Sequence, residues 1–211
     1  MALLTVNTMH KIVKNGYEYN QYNQKYRSSQ ELTRFEQFCL DKFLSLLPEH
    51  STILDLGCGS AYTYDNWIVN HGYKLVGVDF SHAQILRALK NCPDGKFVCS
   101  NMLTFPITLE YSGITMFYSL YHIHRSLHRS FLQKIYNQSP QDCIILLNIR
   151  KEDSGDFKYK SDFCNDSMCW SHYSIEEFLS IIKSIGFSYQ ILGDEKEFGG
   201  KESHVWLLMS K

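Results

Sequence analysis

Short apolar runs alternate with amphipathic stretches along this 211-residue chain. That alternation predicts an open, doubly wound α/β fold built on a mostly parallel sheet, with helices on both faces. Three observations carry the expectation. Residues 53–56, 74–78, 113–118 and 143–149 are apolar runs of strand length, as expected of strands buried on both faces. Stretches of helical period separate them. The first run also closes on Gly57 and Gly59, the kind of turn that lets a backbone approach a ligand.

Each element has its own signal. Residues 11–26 are polar, hold Tyr17, Tyr19, Tyr22 and Tyr26, and show no clean period. They are expected to form an N-terminal arm whose rings pack on the domain or fold over its ligand. Ser28 and Glu31 have capping-box spacing. Leu32, Phe35, Phe38, Cys39, Phe43, Leu46 and Leu47 then recur every three or four residues until Pro48 stops the helix. After the glycines a helix is expected over 61–70, then a strand over 74–78. A helix capped by Ser81 runs to Asn91, and the turn Pro93-Asp94-Gly95 leads into a short strand over 96–99. The strand at 113–118 is followed by a helix over 127–137. Residues 143–149 are the most apolar strand and so a central one. Periodicity lapses over 150–172, a length that is usually functional or mobile inside a domain. Ser174 and Glu177 cap a helix that Gly186 ends, and residues 189–192 and 204–209 make a closing hairpin.

Asp55 lies inside the first apolar run, where a charge needs a partner. The second run, Leu75-Val76-Gly77-Val78-Asp79, ends in another carboxylate, 20 residues beyond Gly59. An acid at that distance, closing a second strand, is placed to accept hydrogen bonds from both ribose hydroxyls of an adenosine. Asp55-Leu56-Gly57-Cys58-Gly59 with Val76-Gly77-Val78-Asp79 resembles the class I S-adenosylmethionine-dependent methyltransferases. A dinucleotide dehydrogenase would want glycine at position 62, where this chain has Tyr62, and Ala61 replaces a third glycine common in methyltransferases. The resemblance runs from about Tyr17 to the C-terminus. It implies a Rossmann-like sheet whose last strand inserts antiparallel, and S-adenosyl-L-methionine as cofactor with S-adenosyl-L-homocysteine as product. It further implies that Asp79 takes the ribose, that Phe80 flanks the adenine and that Asn101-Met102 lie near its amino group. Tyr118-Ser119 would lie beside the methionine part. Gly16-Tyr17-Glu18 resembles a Gly-Tyr-Asp segment that precedes the glycine motif in many small-molecule methyltransferases. Tyr17 and Tyr22 are therefore cofactor-side candidates together with Asp55, Gly57, Cys58 and Gly59.

Bulk composition narrows the rest. The chain is 44% hydrophobic and 20% charged, enough to build a core, and its length suits a single domain over 1–211. Within it, 1–27 would be an arm or lid and 150–173 an acceptor-side loop. A net charge of −1 argues against a general nucleic-acid grip. No apolar run approaches 18 residues, so no membrane span is expected. Seven cysteines, an odd number set mostly inside predicted elements, suit a reduced, cytoplasmic protein. Cys164 and Cys169 lack a matching pair for zinc, and no metal is expected.

Tyr121-His122-Ile123-His124-Arg125 follows the fourth strand, and Trp170-Ser171-His172-Tyr173 precedes the helix at Ser174. Both resemble segments of small bacterial-type methyltransferases. Histidine is the natural base near neutral pH, so His122, His172 and Tyr121 are the catalytic candidates. The expected activity is methyl transfer to an oxygen or nitrogen of a small-molecule acceptor, by a monomer or homodimer. Transfer to tRNA or protein, and a non-catalytic cofactor-binding regulatory domain, stand as alternatives.

Overall fold

The computed structural model describes residues 5–19, 31–163, 166–200 and 202–211. Its strands are β1 (Thr52–Leu56), β2 (Lys74–Asp79), β3 (Lys96–Cys99), β4 (Tyr111–Met116), β5 (Ile144–Arg150), β6 (Lys158–Phe163), β7 (Asp166–Trp170), β8 (Ser188–Asp194) and β9 (His204–Ser210). Seven of them form one sheet in the order β3-β2-β1-β4-β5-β9-β8. Strands β1 to β5 run parallel, while β9 lies antiparallel between β5 and β8. This is the doubly wound, mostly parallel sheet with an inserted antiparallel strand that the sequence implied. Strands β6 and β7 pair only with each other.

The helices are α1 (Val6–Tyr19), α2 (Arg34–Leu44), α3 (Tyr64–Asn70), α4 (His82–Asn91), α5 (His128–Gln138) and α6 (Ile175–Ile185). Strand side chains alternate between two apolar layers, as a period of two requires. On one face Ile145, Leu147, Ile149, Val205 and Leu207 meet Phe131 and Ile135 of α5 and Phe178 and Ile182 of α6. On the other, Ile53, Leu146, Trp206 and Leu208 meet Phe35, Leu40 and Phe43 of α2 and Ile68 of α3. Covering both faces leaves the loops at the strand C-termini as the place for a ligand.

Several boundaries differ from expectation for physical reasons. The capping box of α2 is Thr33–Glu36, both halves formed, instead of Ser28–Glu31; Ser28 lies outside the described residues. Helix α3 begins at Tyr64, because Ala61 holds a left-handed φ of 52° that no helix accommodates. Residues 11–26 were expected to lack a period, yet their described part, 11–19, continues the helix that starts at Val6. The helix's buried positions Met9, Val13 and Gly16 start ahead of the tyrosine cluster, so a window opening at Lys11 cuts the period in half. The expected loop over 150–173 contains the β6–β7 hairpin, and β6 was illegible because its side chains stay exposed or half-buried.

Candidate functional site

The two glycines turn the chain sharply at the end of β1, and that turn is committed to the neighbouring strand. The N–H groups of Gly57 and Cys58 both donate to the Val78 carbonyl, at 2.7 and 3.1 Å. Gly57 has φ +92°, and a Cβ there would overlap Ser119 Cβ and stand 3.0 Å from its Oγ. Only glycine meets both conditions. The loop therefore does not offer a row of bare N–H groups to a ligand; it delivers Gly59 to Asp79. The Asp79 carboxylate accepts from Gly59 N–H at 3.0 Å through one oxygen and from Ser81 N–H at 2.9 Å through the other. Burial pushes its pKa up to about 6 against those two bonds and a further one from the Phe80 backbone. A carboxylate offers about four lone-pair sites, so acceptor capacity remains for a ribose. That is the fit an adenosine ribose requires.

Beneath the loop, Asp55 accepts from Thr115 Oγ1 at 2.7 Å and pairs with Asp65, whose carboxyl burial and the Asp55 charge hold well above the ordinary range. Asp55 thus braces the turn from inside the sheet. Cys58 likewise turns inward. Its Sγ lies 2.9 Å from where a Gly77 Cβ would be, and burial raises its thiol pKa well above the usual value. Phe80 is half-buried after β2, beside α1. Asn101 Oδ1 accepts from Leu103 N–H at 3.0 Å, closing a turn in which half-buried Met102 rests on the core. The amide oxygen expected to meet the adenine edge is thereby partly used.

At the end of β4 the backbone is strained. Tyr118 has φ +53°, uncommon for a bulky residue, and Asn148 Oδ1 accepts its N–H at 2.7 Å. Its hydroxyl donates to Glu195, which also accepts from Trp206 Nε1 at 2.7 Å and pairs with His204 Nδ1 at 2.9 Å. The Tyr118 side chain therefore points into this internal network. Ser119 is buried and donates to the Leu56 carbonyl at 2.7 Å, tying β4 to β1 just below Gly57.

The two segments expected to cover the site lie against each other. Met9 and Val13 of α1 bury against Met168 and Cys169 of β7, with Tyr17, Phe80, Phe163 and Trp170 packed around them. Gly16 permits the contact: a Cβ there would stand 2.8 Å from Met168 Cε and 3.2 Å from the Ser167 carbonyl. Glu18 anchors the end of α1 by accepting from Ser81 Oγ at 2.7 Å. Tyr17 is placed edge-on to both Phe80, at 6.5 Å, and His122, at 5.2 Å, and its hydroxyl is 2.8 Å from His122 Nε2. His122 Nδ1 is 3.2 Å from the Cys169 carbonyl. Tyr121 is buried beside His122, 4.9 Å between rings, and 6.3 Å from His172. His172 is buried, which lowers its pKa, and its Nδ1 finds no hydrogen-bond partner. Tyr22 lies outside the described residues.

Sequence reasoning missed Asp65, Thr115, Asn148, Glu195 and His204, whose partners lie on other strands. Glu18 had a local signal, as the third residue of the Gly16-Tyr17-Glu18 segment, but nothing local paired it with Ser81. Among the described residues, no group of three histidines, cysteines or acids could hold a metal ion, and no helix is long and apolar enough to cross a membrane.

A profile of the methyltransferase domain family matches residues 24–190. Curated proteins give no match. Among solved structures, the chain is similar to the 1,6-didemethyltoxoflavin-N1-methyltransferase of Burkholderia thailandensis, seen with S-adenosylhomocysteine. The TM-score is 0.72 at 12% identity, covering 100% of this chain and 92% of that one. It is also similar to the magnesium protoporphyrin IX methyltransferase of Synechocystis with bound SAM, TM-score 0.69 at 11% identity, covering 100% and 99%. A TehB-like SAM-dependent methyltransferase of Corynebacterium glutamicum gives 0.65 at 14%, covering 90% and 96%. With the glycine turn, the Asp79 acceptor and this sheet order already in place, the match over 24–190 settles the family: the chain is a class I S-adenosylmethionine-dependent methyltransferase.

Proposed function

We propose that this enzyme methylates an oxygen or nitrogen of a small-molecule acceptor held beneath α1 and the β6–β7 hairpin. One observation carries the reading: Met9, Val13, Met168 and Cys169 are buried together beside Tyr17 and Phe80, which supports a roof over the site. A roofed site suits an acceptor that can be enclosed, and tRNA or a folded protein cannot be. Two of the structural neighbours are named for small-molecule acceptors, 1,6-didemethyltoxoflavin and magnesium protoporphyrin IX, which agrees with an enclosed small acceptor.

Asp79 would hold the ribose, Gly57 and Gly59 would let the cofactor lie close to the backbone, and Phe80 would flank the base, with Asn101 and Met102 at its edge. Bound there, S-adenosylmethionine supplies a sulfonium methyl as electrophile. The chain's contribution is position, and holding two reactants in line can supply about 7–11 kcal/mol of the barrier. Tyr17, Tyr121, His122 and His172 ring the acceptor side, and His122 is the proton sink. Free, mostly buried cysteines among the described residues support a cytoplasmic setting.

The test is transfer of labelled methyl from S-adenosylmethionine into a metabolite extract, with tRNA and a protein extract in parallel. Label in small molecules alone is the expected result. Label in tRNA or protein alone would overturn the acceptor class, and cofactor binding without transfer to any of the three would favour a regulatory domain.

A further inference from the structure

Tyr17 is the side chain that joins the cofactor half of the site to the acceptor half. Phe80 follows β2 and His122 follows β4, while β1 lies between those strands. A ring packed against Phe80 and His122 therefore bridges the chain segments that follow β2 and β4, the strands on either side of β1. Its hydroxyl is 2.8 Å from His122 Nε2, and His122 Nδ1 is 3.2 Å from the Cys169 carbonyl. A carbonyl only accepts, so Nδ1 carries the hydrogen, and in the neutral ring Nε2 is then the acceptor of the Tyr17 hydroxyl. The three members come from α1, the turn after β4 and β7, so the arrangement exists only while the roof is docked.

Resting on the reading of a small oxygen or nitrogen acceptor, we propose that Tyr17 is a catalytic residue. Its hydroxyl takes the acceptor proton while passing its own to His122, which makes it the first link of a lid-borne proton relay. The steps balance. The acceptor's electron pair forms the new bond to the methyl carbon, and the old carbon–sulfur pair leaves with sulfur. The acceptor proton moves to Tyr17 Oη, the Tyr17 proton moves to His122 Nε2, and an imidazolium remains, its Nδ1–H held by the Cys169 carbonyl. His122 acts through Tyr17 and does not itself touch the acceptor. A proton can then leave the acceptor only when α1 has closed and water is excluded, which ties base competence to closure.

Two measurements on the full chain test this. The first needs no acceptor: imidazole nitrogen NMR of the protein bound to S-adenosylhomocysteine, with His122 assigned by its loss in His122→Gln. A neutral ring with hydrogen on Nδ1, and an Nε2 signal that shifts in Tyr17→Phe, is expected. Hydrogen on Nε2 in the wild type, or no shift in Tyr17→Phe, overturns the relay. The second is labelled-methyl transfer into the metabolite extract. Tyr17→Phe and His122→Gln should each lower turnover about 10²-fold, the double variant little further, because the two act as a unit. Tyr17→Phe keeps the ring, so affinity for S-adenosylhomocysteine should stay within about threefold. A Tyr17→Phe variant that turns over normally while His122→Gln fails makes His122 the direct base and overturns the proposal. No product from the wild type counts against the small-acceptor reading alone, and the tautomer measurement still decides the relay.

Discussion

Replacing Gly57 by alanine should be among the most damaging single-methyl changes in this protein, and two separable terms predict how damaging. The first is backbone strain. Gly57 has φ +92°, and a side chain in the left-handed region costs about 1–2 kcal/mol. The second is overlap: the new Cβ would coincide with space already filled by Ser119 Cβ, with Ser119 Oγ at 3.0 Å and its Cα at 3.7 Å. Ser119 cannot swing away freely, because it is buried and bonded to the Leu56 carbonyl at 2.7 Å. Forcing an extra methyl into such a position costs about 1–3 kcal/mol. Together the loss is about 2–5 kcal/mol, a large part of the roughly 5–15 kcal/mol that holds a domain folded. The assay is urea unfolding of Gly57→Ala, Ser119→Gly and the double variant. Ser119→Gly alone should lose about 0.5–1.5 kcal/mol with its hydrogen bond. In the double variant the overlap is gone but the strain remains. It should therefore be more stable than additivity predicts by about 1–3 kcal/mol. Strict additivity, or a loss below about 1 kcal/mol in Gly57→Ala, would show that the turn is not set by its contact with β4.

Three further outcomes follow from the same geometry. Asp79→Ala should weaken S-adenosylhomocysteine binding by about 1–3 kcal/mol in calorimetry, since two ribose hydroxyls lose a buried acceptor; unchanged affinity would remove Asp79 from the site. The Asp79 pKa is raised to about 6, mainly by burial, and two ribose hydroxyls are accepted more strongly by its charged form, which spends no oxygen as a donor. Cofactor affinity should therefore rise with pH up to about 6 and level off above it, while the stability this group lends the free protein is lost as pH rises through about 6. A flat affinity profile from pH 5 to 7 would contradict the buried-carboxylate assignment. Finally, residues 6–19 and 158–170 should gain hydrogen-exchange protection together when S-adenosylhomocysteine binds, because one apolar cluster joins them. Equal protection with and without ligand would make the roof a fixed wall.

Much of this protein was legible in its sequence because the signals were local. The apolar run 53–56, two glycines and an acid 20 residues on lie along one strand–turn–helix unit and the strand beside it. They carried the expectation of a parallel sheet and the family resemblance that implied the cofactor, without knowledge of any other contact. Ser81 and Ser174 announced their helices in the same way, since a cap reaches only to the third residue of its own helix. Tertiary structure decided what depends on groups far apart in the chain. Asp55 and Cys58 share a motif with Gly57, yet Thr115 and Asp65 occupy one, and packing against Gly77 turns the other inward. Tyr118 and Ser119 are adjacent, but a left-handed backbone at Tyr118 sends its ring to Glu195, 77 residues away, while Ser119 stays on Leu56. Tyr17 and His122 are separated by 105 residues and meet only because α1 docks on β7. Spacing along a chain records what one segment can do alone; which distant side chain satisfies a buried hydroxyl, carboxylate or imidazole is fixed only when the strands are ordered and the faces closed.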